Sequence, residues 1–242
     1  MLSLIKKFLN IDKSASLPLK ISILFCYDAF FKPEMREELN RVLIPIVEYV
    51  DKNPGIPVNF KLSGATLSAL LWHNYKFVEK MISLVASGKI ELLGSSFSNC
   101  ALTFLDREIA SEQVASHKHY IKQVFDHLPK GFVFAQDCFS KELLSVIGEY
   151  NYKYFILQDR YLNQSAVNSL VESFDKKSRV NEEAISRLVY IPKKIISEGS
   201  DFFAFSEFCE FGEYFKKALD ENNESIFYKF VQSAFKSFAN FD

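Results

Sequence analysis

The sequence predicts an α/β protein whose six or seven parallel strands close into a (β/α) barrel, with a doubly wound sheet as the alternative. Three observations lead there. Short, largely apolar and β-branched runs recur along the chain, as expected of strands buried on both faces. Stretches with helical spacing stand between most of them, and such alternation implies a parallel sheet with helices outside. The chain has 242 residues, a length that α/β barrels fill as single domains. No linker, low-complexity run or internal repeat divides it. Residues 1–242 are therefore expected to form one barrel domain, with its core at about 19–215 and no separate C-terminal domain.

The elements follow in order. LKISILFC (19–26) is the first strand. Residues 33–52 carry apolar residues at helical spacing, from Leu39, Val42 and Leu43 to Ile46, Val47 and Val50, and NPG (53–55) stops them. PVNFKLSG (57–64) is the second strand, and Tyr75 to Ser87 is helical, ending at Gly88 as a left-handed cap. KIELLG (89–94) is the third strand; residues 106–128 open with an acidic turn and form a long amphipathic helix. GFVFAQ (131–136) and YKYFILQ (152–158) are strands around a helix at 140–150. The polar segment 160–187 has no clear period, LVYIP (188–192) and DFFAFS (201–206) are the last strands, and two helical patterns end the chain.

Composition narrows the function. Hydrophobic residues make up 48% and charged residues 24%, which is globular rather than disordered. The formal charge of −1 lacks the basic footprint of a nucleic-acid binder. No apolar stretch reaches the roughly 18 residues of a membrane span, and the N-terminus has no signal-peptide core. Cys26, Cys100, Cys138 and Cys209 show no paired zinc spacing, so reduced thiols in a cytoplasmic protein are expected, with no metal and no cofactor.

Parallel barrels gather their chemistry at the C-terminal ends of the strands. Those ends carry Tyr27 and Asp28, then Ser63, then Ser95 to Asn99, Asp137, Asp159 and Glu207. Asp137 also suits a turn residue before the next helix, but Ser140 is the better cap there. Glu207 also suits a surface loop; its neighbours Phe205, Phe208 and Phe211 would instead desolvate it and raise its pKa, as a general acid requires. Phe97, Phe208 and Tyr214 are candidates to stack on sugar faces, against the commoner role of such rings as core. His117 and His119 lie two apart on a helix and cannot form an i, i+4 metal pair; both are expected to be solvated.

The order VNFKLSG, GKIELLGSSFSNCAL, FVFAQDCFSKELLSVIGEYNYKYFILQD and FFAFSEFCEFGEY resembles the catalytic domain of glycoside hydrolase family 57 over residues 19–215. That family holds α-amylases, 4-α-glucanotransferases and glycogen-branching enzymes. FSEFCEFGE (205–213) is similar to its last motif, roughly F-M-D-Y-E-T-F-G-E, with the final F-G-E identical. The resemblance implies a distorted seven-stranded barrel, of a kind shared with polysaccharide deacetylases, and a retaining mechanism with two carboxylates. The family's nucleophilic Glu falls on Asp137 and its acid/base Asp falls on Glu207, so each residue type stands where the family has the other. The family's early H-Q-P falls on Tyr27, Asp28 and Ala29, its Glu and His after the third strand on Ser95 and Asn99, and its His after F-G-E on Tyr214.

The expected function is hydrolysis or transfer on α-glucans or other oligosaccharides by Asp137 and Glu207. Tyr27, Asp28, Ser95, Phe97, Asn99, Asp159, Phe208 and Tyr214 are the expected substrate contacts. The alternative is a degenerate member that binds carbohydrate or a protein partner without turnover; metal-dependent deacetylation is disfavoured because the strand ends offer no histidine. Only a short stretch follows Tyr214, so the cleft is expected to be open or covered by another subunit of a homo-oligomer.

Overall fold

The computed structural model describes residues 22–28, 39–52, 58–158, 193–197 and 200–207. Its strands are β1 (Ile23–Tyr27), β2 (Val58–Leu62), β3 (Ile90–Leu93), β4 (Gly131–Val133), β5 (Tyr154–Gln158), β6 (Lys193–Ser197) and β7 (Ser200–Glu207). Its helices are α1 (Ile44–Lys52), α2 (Gly64–His73), α3 (Tyr75–Ala86), α4 (Arg107–Phe125) and α5 (Glu142–Glu149). A π-helical turn at Leu39–Leu43 leads into α1.

The strands pair as β1-β2-β3 and as β4-β5-β7-β6. Gly94 joins the two groups through a parallel bridge to Phe132. Its N–H donates to the Gly131 carbonyl at 2.8 Å, and the Gly94 carbonyl accepts the Val133 N–H at 2.9 Å. Strand order therefore rises from β1 to β5 without reversal, whereas a doubly wound sheet reverses at a switch point. The helices share one face. The buried stripe of α4 runs through Ala110, Val114, His117, Ile121 and Phe125. Its C-terminal half packs with Phe60 and Val58, its N-terminal half with Phe132 and Phe155. One helix thus seals both halves of the described sheet on one face, whereas a doubly wound sheet carries helices on both.

Three expectations need correction. The sheet is not wholly parallel, because β6 runs antiparallel to β7, with Ser197 paired to Ser200. A connection that short makes a hairpin; a parallel crossover needs a dozen or more residues. The strand itself is KKIIS, while LVYIP (188–192) lies outside the described residues. Second, β4 stops at Val133 rather than 136, and a tight turn at Ala135–Asp137 follows, kinked at Gln136, whose φ of 54° is neither strand nor helix. Third, α2 forms where the sequence reading assigns nothing. Leu67, Ala69 and Leu70 are buried beside Gly64 and Thr66, so this helix has no amphipathic period to detect. Its start is marked instead by Ser63, whose Oγ accepts the Thr66 N–H at 3.2 Å.

The expected end of α3 holds: Gly88 closes that helix at φ 72°. Asn74 caps its start by accepting the Phe77 N–H at 3.1 Å. The last two helical patterns fall outside the described residues. Among the described residues no helix is long and apolar enough to cross a membrane.

Candidate functional site

Burying a polar side chain is costly unless it is paired, so where such groups collect is informative. Among the described residues the buried polar and charged side chains are Lys61, Ser63, Thr66, Ser95, Ser96, Asn99 and His117. All belong to one neighbourhood: the ends of β2 and β3, the start of α2, and the middle of α4.

Lys61 is its centre. It is the penultimate residue of β2 and only 3% exposed. Its ammonium donates to the Asp28 carboxylate, just past β1, and to Asn99 Oδ1 at 2.6 Å. The Ser63 N–H adds a bond to Asp28 Oδ1 at 3.3 Å. Asn99 holds a left-handed backbone at φ 55°, and its carbonyl accepts from Gln136 Nε2 at 3.4 Å. Gln136 is left-handed too, at φ 54°, immediately before Asp137. Non-glycine residues in this region are uncommon and cluster at functional sites. A continuous path therefore runs from Asp28 through Lys61 and Asn99 to the turn that carries Asp137.

Behind this path sits His117. The Ser95 N–H donates to its Nδ1 at 3.3 Å, which leaves the proton on Nε2 to donate to the Leu62 carbonyl at 2.8 Å. Burial holds the imidazole down to about 4, with the Lys61 ammonium acting in the same direction and the Leu62 bond opposing. The ring is thus neutral and ties α4 to the ends of β2 and β3. This corrects the expectation that His117 is solvated; His119 is exposed as expected. The position was legible in principle, because 117 lies on the stripe 110, 114, 121 and 125.

The other expected site residues are placed as follows. Tyr27 ends β1 opposite Leu62. Ser95 is fully buried, its hydroxyl donating to the Val133 carbonyl at 3.1 Å. Phe97 lies against Gly64, where a Cβ would come within 2.2 Å of its ring, and packs on Tyr120 at 5.7 Å between centroids. That ring fills the gap between α2 and α4. Asp137 ends the 3₁₀ turn after β4, and Glu207 is the last residue of β7, in register with Gln158. The order β4-β5-β7 leaves one strand between them. Phe205, expected to desolvate Glu207, is 39% exposed. Asp159, Phe208, Phe211 and Tyr214 lie outside the described residues. Lys61 and Gln136 were missed: a single lysine inside an apolar strand and a glutamine before a turn carry no motif.

The model of glycosyl hydrolase family 57 matches residues 5–197. The chain belongs to that family. A curated relative, α-amylase 1 of Dictyoglomus thermophilum, is 25% identical over 117 residues, or 48% of this family 57 chain and 17% of the relative. The 4-α-glucanotransferase of Thermococcus litoralis superposes with a TM-score of 0.64 at 19% identity, covering 84% of this chain and 31% of that one. An α-amylase of Thermotoga maritima superposes at 0.55 with 12% identity, covering 80% and 46%. The matched region thus spans less than half of each relative, and the structural likenesses establish the fold.

Proposed function

We propose that this family 57 chain acts on α-glucans by a retaining, two-carboxylate mechanism, on a barrel whose wall is the described sheet. The relatives that support this are named α-amylase and 4-α-glucanotransferase. Asp137 is the nucleophile: its carboxylate bonds to the anomeric carbon while Glu207 protonates the departing oxygen. Glu207, now ionised, takes a proton from water or an acceptor sugar hydroxyl, whose oxygen displaces Asp137. Product leaves with both carboxyls restored.

One observation carries the reading. Positions 137 and 207 stand at the same end of the sheet, with β5 alone between their strands. Two inter-strand steps separate the strand backbones by roughly 9–10 Å. A retaining pair needs carboxyl groups about 5–5.5 Å apart. The combined side-chain reach of one Asp and one Glu is enough to close that difference, whichever residue type stands at which end.

A second reading, binding without turnover, is favoured by a different observation. Asp28, Ser95 and Asn99, which replace residues of the family's motifs, commit hydrogen bonds internally to Lys61 and Val133, as in a fold kept without its catalysis. Hydrolysis and transfer on a maltooligosaccharide series, run beside calorimetric binding, separate the two. Turnover supports the first reading, binding alone the second, and neither result would leave both without support.

A further inference from the structure

The Lys61 ammonium, 3% exposed, makes two hydrogen bonds in a site from which water is nearly excluded, to Asp28 and to Asn99. From Asn99 the path leads to the proposed chemistry. Asn99 accepts its proton at 2.6 Å while passing a backbone carbonyl to Gln136, and both partners of that second bond are left-handed. A left-handed non-glycine residue costs on the order of 1 kcal/mol or more and persists only where its surroundings over-determine it. The Asn99 loop is pinned from its other side as well: Gln113 Oε1 accepts from both the N–H and the hydroxyl of Ser98, at 2.9 and 2.8 Å. The Gln136 side chain is exposed, and among the described residues its bond to Asn99 is what links it across the gap between the β3 and β4 loops. The turn that presents position 137 is thus tied to the sheet by a route that begins at a buried charge.

We propose that Lys61 is a positioning residue, which through Asn99 and Gln136 sets the backbone of the turn that carries Asp137. The functional half of this inference rests on the α-glucan reading; the structural half does not. An ammonium suits the task because one rigidly held donor satisfies Asp28 and Asn99 together, so strands β1 and β2 and the β3 loop share a single register point. Methionine at 61 would keep most of the volume and remove the donor. Arginine would restore charge and donors with a longer reach.

The test uses the full chain with Lys61→Met, Lys61→Arg and Gln136→Ala, read by amide hydrogen exchange and by kinetics on maltooligosaccharides. In Lys61→Met and Gln136→Ala, exchange across 134–139 should rise at least about threefold, the order expected when one tethering bond of about 1 kcal/mol is lost. Lys61→Arg should lie between Lys61→Met and wild type. Exchange in α3, remote from the path, should stay at its wild-type level in Gln136→Ala. On substrate, kcat should fall about 10- to 100-fold with KM changed less than about twofold, as for a misplaced but still bound reacting group. A purely structural role would instead lower kcat in proportion to the folded fraction, which the same samples report by circular dichroism. Should Lys61→Met not fold, Gln136→Ala decides, because its side chain lies at the surface. Unchanged exchange at 134–139 in Gln136→Ala would overturn the positioning route whatever the activity. Raised exchange in an enzyme with no turnover would keep the route and remove the α-glucan reading.

Discussion

The Tyr154 hydroxyl on β5 donates to Glu91 Oε1 on β3 at 2.9 Å, and its ring crosses β4 where Gly131 leaves room. Burial, reinforced by the Glu91 charge, raises the Tyr154 pKa, so the phenol stays a donor at any working pH. A Cβ at 131 would come 2.2 Å from the Tyr154 ring. Gly131→Ala should therefore cost about 1–3 kcal/mol, the range of core overpacking, seen as a lower urea midpoint with unchanged slope. In a Tyr154→Ala background the same substitution should cost much less. Equal costs in both backgrounds would refute the crossing.

The His117 imidazole sets the acid limb of stability. Its folded pKa is depressed to about 4 from 6.5, so between those values the unfolded chain binds a proton that the folded chain does not. Stability is then full above 6.5, falls as pH drops through the window, and loses about 3 kcal/mol by pH 4 from this group. His117→Gln should lower stability at pH 8 yet flatten the slope between pH 6.5 and 4. Denaturant melts across that range provide the check, and an unchanged slope would rule the histidine out.

Lys61 and Asp28 form an ion pair with side chains 4% and 16% exposed. Breaking such a pair leaves a charge stranded, so Lys61→Met alone should cost about 3–5 kcal/mol. Adding Asp28→Asn to Lys61→Met should recover part of that loss. If the double variant is as unstable as the sum of the singles, the two residues are not coupled.

Asp137→Ala and Glu207→Ala should each abolish release of reducing sugar, and the double variant should be no slower than either, because residues acting as a unit are not additive. On an aryl glycoside, whose leaving group departs without a proton, azide should restore turnover in both, with different products. In Asp137→Ala it replaces the nucleophile, and in Glu207→Ala it resolves the glycosyl intermediate. Rescue with the same product from both variants would contradict the assigned roles.

Most elements were legible because their patterns are local. Helix α4 announces itself by an acidic first turn and a stripe at 110, 114, 117, 121 and 125. Helix α3 shows Asn74 before it and Gly88 after it. Helix α2 was illegible because its outer side, with Ala65 and the exposed Trp72, is nearly as apolar as its buried side, so no polar face sets its period, and only Ser63 marks it. The hairpin of β6 and β7 was missed because KKIIS opens on two lysines and lacks the apolar run of a buried strand.

The sequence by itself determined the α/β class and the membership that residues 5–197 share with glycosyl hydrolase family 57. Those follow from periodicity and motif order, which are written along the chain. Tertiary structure alone decided which polar residues matter together. Lys61, Asp28 and Asn99 are separated by 33 and 38 positions, yet meet at one buried ammonium. His117 reaches back 55 positions to the Leu62 carbonyl. No local pattern encodes such pairings, because a buried charge is tolerated only through partners that the folding of parallel strands side by side brings to it.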